Sequence, residues 1–119
     1  MLILIAHGSR DPHWRESLEA LTTAVQSGST EEEVRLAFMQ FSGPTLPEVV
    51  VEAWTLGSRE FRLLPLFMAS AGHVDKDIRP LVEELEHHFP EGEFRLLTPV
   101  GENPLFHDLV KKLANNTWS

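Results

Sequence analysis

Leu2-Ile3-Leu4-Ile5-Ala6 is an unbroken apolar run without alternation. A strand covered on both faces, as in the middle of a parallel sheet, reads this way. It runs into His7 and the polar turn Gly8-Ser9-Arg10-Asp11-Pro12. From Pro12 or His13 to Gln26 the apolar residues Leu18, Leu21 and Val25 recur at helical spacing, and Gly28 offers a stop. Val34 to Phe41 alternates, with Leu36, Phe38 and Gln40 on one face and Ala37, Met39 and Phe41 on the other. Ser42-Gly43-Pro44 ends that strand, and Thr45-Leu46-Pro47-Glu48 is a capping-box pattern that opens a second helix. Val49, Val50, Ala53 and Trp54 form its apolar side, and Gly57 closes it.

Phe61 to Phe67 is predicted as the third strand. Pro65 inside it conflicts with a central position, because proline lacks a ladder donor. The strand is therefore expected to lie at an edge there or to bulge. The third helix is predicted from Asp75 to His88, with Ile78, Leu81, Val82 and Leu85 inward and Pro80 in its first turns. Glu93 to Leu97 is the fourth strand, Thr98 to Glu102 a loop, and Asn103-Pro104 a cap with a proline at the first helical position. The last helix covers Leu105 to Leu113 and frays through Asn115-Asn116-Thr117.

The order is βαβαβαβα: an α/β single domain spanning residues 1–119, with a four-stranded, mainly parallel sheet flanked by helices. No linker or repeat interrupts it. So narrow a sheet leaves edges and faces uncovered, so a homodimer is expected.

Composition narrows the chemistry. The chain has 119 residues, 42% of them hydrophobic, which suits one folded domain. The formal charge of -8 argues against nucleic acid and anionic membranes as partners. With no cysteine, disulfides and thiolate metal sites are excluded, and a cytoplasmic location is expected. No apolar run is long enough to cross a bilayer, and the segment Met1 to Ala6 is too short for a signal-peptide core.

In a parallel sheet all the strands' carboxyl ends share one rim. That gathers the loop His7 to Pro12, the end of the second strand from Gln40 to Pro44, the loop Met68 to Val74 and the loop Thr98 to Asn103. Ligands bind at such rims. Two of these loops carry a histidine, His7 and His73. Two neutral imidazoles facing one cleft can hold a divalent first-row metal and accept protons near neutral pH. The plainer reading is a loop histidine bonded only to its own turn. A closed structural zinc site needs four ligands, so an open or transient site is expected.

Other patterns carry less. His7, Ser9 and Asp11 are triad types, but they lie too close in sequence and no G-x-S-x-G elbow is present. Ala6 stands where the histidine phosphatases place the arginine before their histidine. His87-His88 closes a helix and suits a solvated or capping role. His13 and His107 fall on helices as surface residues, and Glu31-Glu32-Glu33 is a solvated charge run. Nothing matches a glycine-rich phosphate loop.

Taken together, Ala6-His7-Gly8-Ser9-Arg10-Asp11-Pro12, Ala37-Phe38-Met39-Gln40-Phe41 with Pro44-Thr45, Pro65-Leu66-Phe67 through Gly72-His73-Val74, and Asp77-Ile78 closely resemble the small, CbiX-type sirohydrochlorin chelatases. The match keeps its order to Gly101-Glu102-Asn103-Pro104 and covers nearly the whole chain. The resemblance implies a chelatase-like fold, equivalent to a flavodoxin-like half. It implies insertion of Co²⁺, or alternatively Fe²⁺ or Ni²⁺, into a sirohydrochlorin-type tetrapyrrole without ATP or an organic cofactor, by a homodimer. His7 and His73 match the family's metal-binding, proton-accepting histidines. Gln40 occupies the place where the family often has a glutamate, and Gly43 that of the glutamate in the following Glu-Pro pair. A flat macrocycle needs a wide apolar cleft, which Leu66, Phe67 and Met68 could wall. Its carboxylates need donors, for which Ser9, Arg10, Ser70 and Lys76 are the candidates. The alternative is a non-catalytic tetrapyrrole- or metal-binding protein that has lost the carboxylate at position 40.

Overall fold

The computed structural model describes residues 1–29, 31–69, 72 and 74–115. Strands β1 (Leu2–Ala6), β2 (Val34–Phe38), β3 (Glu60–Pro65) and β4 (Glu93–Leu96) alternate with helices α1 (Pro12–Ser29), α2 (Leu46–Thr55), α3 (Arg79–His88) and α4 (Pro104–Ala114). The strands form one sheet in the order β2-β1-β3-β4, and every pair is parallel. Ile5 stands between Ala37 of β2 and Pro65 of β3. All five residues of β1 are buried, as its unbroken apolar run predicts.

The chain steps one way from β1 to β2 and the other way from β2 through β3 to β4. With crossovers of one hand, this puts α1 on one face and α2 and α3 on the other. Ile3, Ile5, Ala37, Phe61 and Leu63 pack against Val49, Val50 and Ala53 of α2 and Val82 and Leu85 of α3. Leu2, Leu4 and Val34 meet Val25 of α1, with Leu36, Leu64, Leu66 and Leu97 only half buried. The reversal falls between β1 and β3, so the loops leaving them diverge and open a crevice at their carboxyl ends.

Pro65 resolves differently from either expectation. The backbone N–H of Arg62 donates to Met1 and that of Leu66 to Ile5, so even positions there face β1. Position 65 therefore faces β4, whose last residue, Leu96, pairs with Leu63. Pro65 ends an inner strand where no donor is required, with neither a bulge nor an edge.

β2 stops at Phe38 rather than Phe41. The Phe38 N–H donates to the Pro44 carbonyl at 2.9 Å, and Phe38 bridges to Thr45, so residues 39–44 form a pinched loop. The same loop contains a cis Gly43–Pro44 bond and Phe41 at φ +62°. Helix α1 runs through Gly28 to Ser29, past the expected Gln26. The predicted start of α3 is a π-helical turn, Val74–Ile78, and a short 3₁₀ turn, Val100–Glu102, sits in the loop after β4.

The helix starts follow their local signals. The Thr45 hydroxyl accepts from the Glu48 N–H at 3.3 Å, and Glu48 Oε1 accepts from the Thr45 N–H at 3.0 Å. Asn103 Oδ1 accepts from the Leu105 N–H at 2.8 Å, with Pro104 first in α4. None of the residues of α4 is buried; Leu105, Leu109, Val110 and Leu113 are 76, 48, 49 and 53% exposed. Among the described residues no helix is long and apolar enough to cross a membrane.

Candidate functional site at the carboxyl rim of the sheet

His7 is the first residue past β1. Its carbonyl accepts from the Trp14 indole Nε1–H at 2.6 Å, which ties the loop to α1. Its ring lies on that of Phe67, centroids 4.4 Å apart and tilted by 32°. Phe67 is itself buried at the start of the loop leaving β3. The Phe67 carbonyl in turn accepts from the Gly101 N–H at 2.9 Å. A Cβ at Gly101 would lie 2.2 Å from the Met68 carbonyl oxygen, so glycine lets the loops after β3 and β4 close on one another.

Gly8 does the same between β1 and β2. A Cβ there would come within 1.5 Å of the Gln40 carbonyl oxygen. The contact brings Gln40 beside His7. A cleft of about 360 Å³ results, lined by His7, Met39, Gln40, Lys76 and Asp77. The π-helical turn contributes the last two, and its Lys76 N–H donates to the Gly72 carbonyl at 2.8 Å. An imidazole, an amide, an ammonium and a carboxylate thus converge at the β1/β3 crevice.

A second hollow of about 360 Å³ beside it is lined by Gly8, Ser9, Arg10 and Phe41. The Ser9 hydroxyl oxygen accepts from the Asp11 N–H at 3.1 Å, and the Ser9 carbonyl accepts from the Ser42 hydroxyl at 3.1 Å. The Arg10 guanidinium stands 5.3 Å from the centroid of the Phe41 ring.

Of the residues singled out in the sequence, His7, Gln40 and Lys76 share the first cleft, and Ser9 and Arg10 line the second. His73 and Ser70 lie outside the described residues. Met39 and Asp77 were not anticipated as lining residues, whereas Leu66, Phe67 and Met68, expected as cleft walls, line neither hollow; Phe67 is buried against the His7 ring instead. Asp77 carried a usable signal, an acidic residue at the helix start that follows the histidine loop. Met39 carried none, because alternation alone places it on a strand face.

The remaining histidines stand apart. His13 pairs with Glu16 at the surface, 3.7 Å away, and His107 Nε2 contacts the Gly101 carbonyl at 3.0 Å. His87 and His88 are exposed in the last turn of α3. Among the described residues no three His, Asp or Glu side chains group as a metal site. A larger hollow of about 670 Å³ lies elsewhere, against β3 and β4. It is lined by Glu60, Arg62, Glu86, Glu93 and Arg95, charges of both signs with no imidazole among them.

The sequence profile of the CbiX family matches residues 1–117. The chain belongs to the CbiX family. A CbiX protein from Marinobacter aquaeolei VT8, described as belonging to cobalamin (vitamin B12) biosynthesis, is 31% identical and superposes with a TM-score of 0.84, over 98% of this chain and 94% of that one. The sirohydrochlorin cobaltochelatase of Methanocaldococcus jannaschii is 34% identical over 85 residues, which are 71% of this chain. The match spans 59% of that relative's length. The sirohydrochlorin chelatase SirB of Bacillus subtilis subspecies spizizenii, solved in complex with cobalt, shares the fold at 17% identity with a TM-score of 0.83. This CbiX chain is covered over 98% of its length in that comparison, but the SirB chain over only 48%.

Proposed function

We propose that the chain inserts a divalent metal into a sirohydrochlorin-type tetrapyrrole without ATP, with His7 and His73 as metal ligands and proton acceptors. The observation that carries this reading is the His7 cleft at the β1/β3 crevice of a CbiX-family fold. Co²⁺ is the favoured metal, with Fe²⁺ and Ni²⁺ as alternatives, and the metal is a substrate.

Metalation forms the metal–nitrogen bonds, removes two pyrrole protons and strips water from the ion. Two protons leave for each metal that enters. A neutral imidazole can first bind the ion and then, once the ion has passed on, accept a proton. Phe67 and Trp14 hold His7 from ring and backbone, so its donor nitrogen meets the substrate in a fixed orientation. The Gln40 carbonyl oxygen can help hold the metal but takes no proton. Ser9, Arg10 and Lys76 supply donors for the substrate's carboxylates, as does Ser70. Arg10 and Lys76 bring positive charge to the two hollows of a chain whose overall charge of -8 repels an anionic macrocycle.

The working unit in this reading is a homodimer of single-domain chains in the cytoplasm. One cleft of about 360 Å³ lies at the low end for ligand sites, and a second copy would supply its other wall. The SirB chain is about twice as long as the part that superposes, which supports the same arrangement.

Gln40 at the cleft favours a second reading, a tetrapyrrole- or metal-binding protein without turnover. One assay separates the two: visible absorbance of sirohydrochlorin with Co²⁺, Fe²⁺ or Ni²⁺ added in turn. Turnover by the native chain is expected. Spectral binding without turnover, converted to turnover by Gln40→Glu, would establish the binder instead.

A further inference from the structure

Phe41 is expensive to keep where it is. Its backbone sits in the left-handed region at φ +62°, which a bulky side chain rarely adopts. Its side chain is 65% exposed, so no burial offsets the strain. Strained residues of this kind concentrate at ligand clamps.

The surrounding loop is held firmly. The Met39 N–H donates to Ala6, the Phe38 N–H to Pro44 and the Ser42 hydroxyl to Ser9. Gly8 packs against the Gln40 carbonyl from the other side. The loop therefore presents the Phe41 ring at a set place, one residue from Gln40 in the His7 cleft. Arg10 stands over this ring at 5.3 Å, and among the described residues no carboxylate pairs with it. An exposed aromatic face beside a guanidinium matches one kind of ligand well: a flat conjugated ring with carboxylates on its rim.

We propose that Phe41 is a stacking platform for the face of the tetrapyrrole, with Arg10 beside it to take one of the rim carboxylates. The assignment rests on the chelatase reading and names a residue that sets substrate affinity. Stacking supplies the face contact, and the guanidinium leaves the ring to form a charge-assisted pair.

The test compares wild type, Phe41→Gly and Phe41→Trp in sirohydrochlorin metalation with Co²⁺, and in fluorescence titration with metal-free uroporphyrin. Phe41→Gly is expected to raise KM and the uroporphyrin Kd roughly tenfold, the loss falling on binding rather than kcat. Phe41→Trp restores both. Glycine accepts a positive φ without strain, so the thermal midpoint of Phe41→Gly should equal or exceed that of wild type. A purely structural ring would instead lower it.

Wild-type turnover with KM and Kd unchanged in Phe41→Gly overturns this assignment alone. A change in sedimentation without a change in KM places the ring on a second copy of the chain and also overturns it. A wild-type chain that neither binds uroporphyrin nor metalates sirohydrochlorin overturns the chelatase reading, and this assignment with it.

Discussion

The imidazole of His7 rests on the ring of Phe67, 4.4 Å between centroids. One belongs to the loop after β1, the other to the loop after β3, so the contact spans the crevice where the strand order reverses. It couples the buried core to the rim. Phe67→Ala should cost about 3–5 kcal/mol, read from denaturant unfolding, because it opens a cavity under the site. Phe67→Leu keeps most of the volume but removes the ring contact. It should lower metalation far more than stability, and equal losses in both would deny Phe67 any positioning role.

His7→Ala and His73→Ala should each reduce metalation by about 10²–10⁴-fold while the protein stays folded. Absorbance assays of turnover and circular dichroism of the same samples check this. Unchanged turnover in either variant would refute the paired-imidazole mechanism.

Gly8→Ala should force the loop after β1 away from residue 40, since its Cβ would overlap the Gln40 carbonyl oxygen. A destabilisation of about 1–3 kcal/mol is expected, together with weaker metalation, because His7 and Gln40 are displaced relative to each other. A variant with a wild-type unfolding midpoint would show that the loops separate freely.

The Thr45–Glu48 cap makes stability depend on acid. The Thr45 backbone N–H, and then its hydroxyl, hold the Glu48 carboxyl below its ordinary value of 4.5. A carboxyl with a depressed folded-state pKa stabilises fully above the unfolded value and loses that contribution as pH falls through the folded one. Glu32, lowered mainly by its hydrogen bond from Arg62, acts in the same direction. Thermal melts between ~pH 7 and ~pH 3 should therefore fall less steeply for Glu48→Gln, which keeps a cap acceptor but cannot titrate. Parallel curves for variant and wild type would refute the linkage.

The apolar side of α4 bears on assembly. Leu105, Leu109 and Leu113 recur at four-residue spacing and are 48 to 76% exposed. If a second copy covers them, Leu109→Glu combined with Leu113→Glu should convert a dimer to monomer in sedimentation, with little loss of thermal stability in the monomer. A wild-type chain that already sediments as a monomer at assay concentrations would remove the dimer from the mechanism.

Much of the fold was legible residue by residue. The unbroken run in β1, the Thr45–Glu48 box and the Asn103-Pro104 start all depend on neighbours within a few positions, and each element formed where its signal lay. The rim followed from the same alternation, because parallel strands send every carboxyl end to one side. That was enough to bring His7 and Gln40 to one rim, whereas Lys76 was expected only as a donor for substrate carboxylates.

Other features depended on partners far along the chain. The strand order placed Pro65 on the side where β4 had already ended, so a residue that argued for an edge could close an inner strand. Phe38 met Pro44 and cut β2 short, turning Phe41 outward where alternation had put it in a sheet. Phe67 found His7, and Asp77 reached the cleft, through loops far apart in sequence that the sheet brings side by side. Propensity and capping act over a turn or a strand, and a sequence displays them directly. Contacts between distant loops follow from how whole elements pack, and no short stretch of residues encodes them.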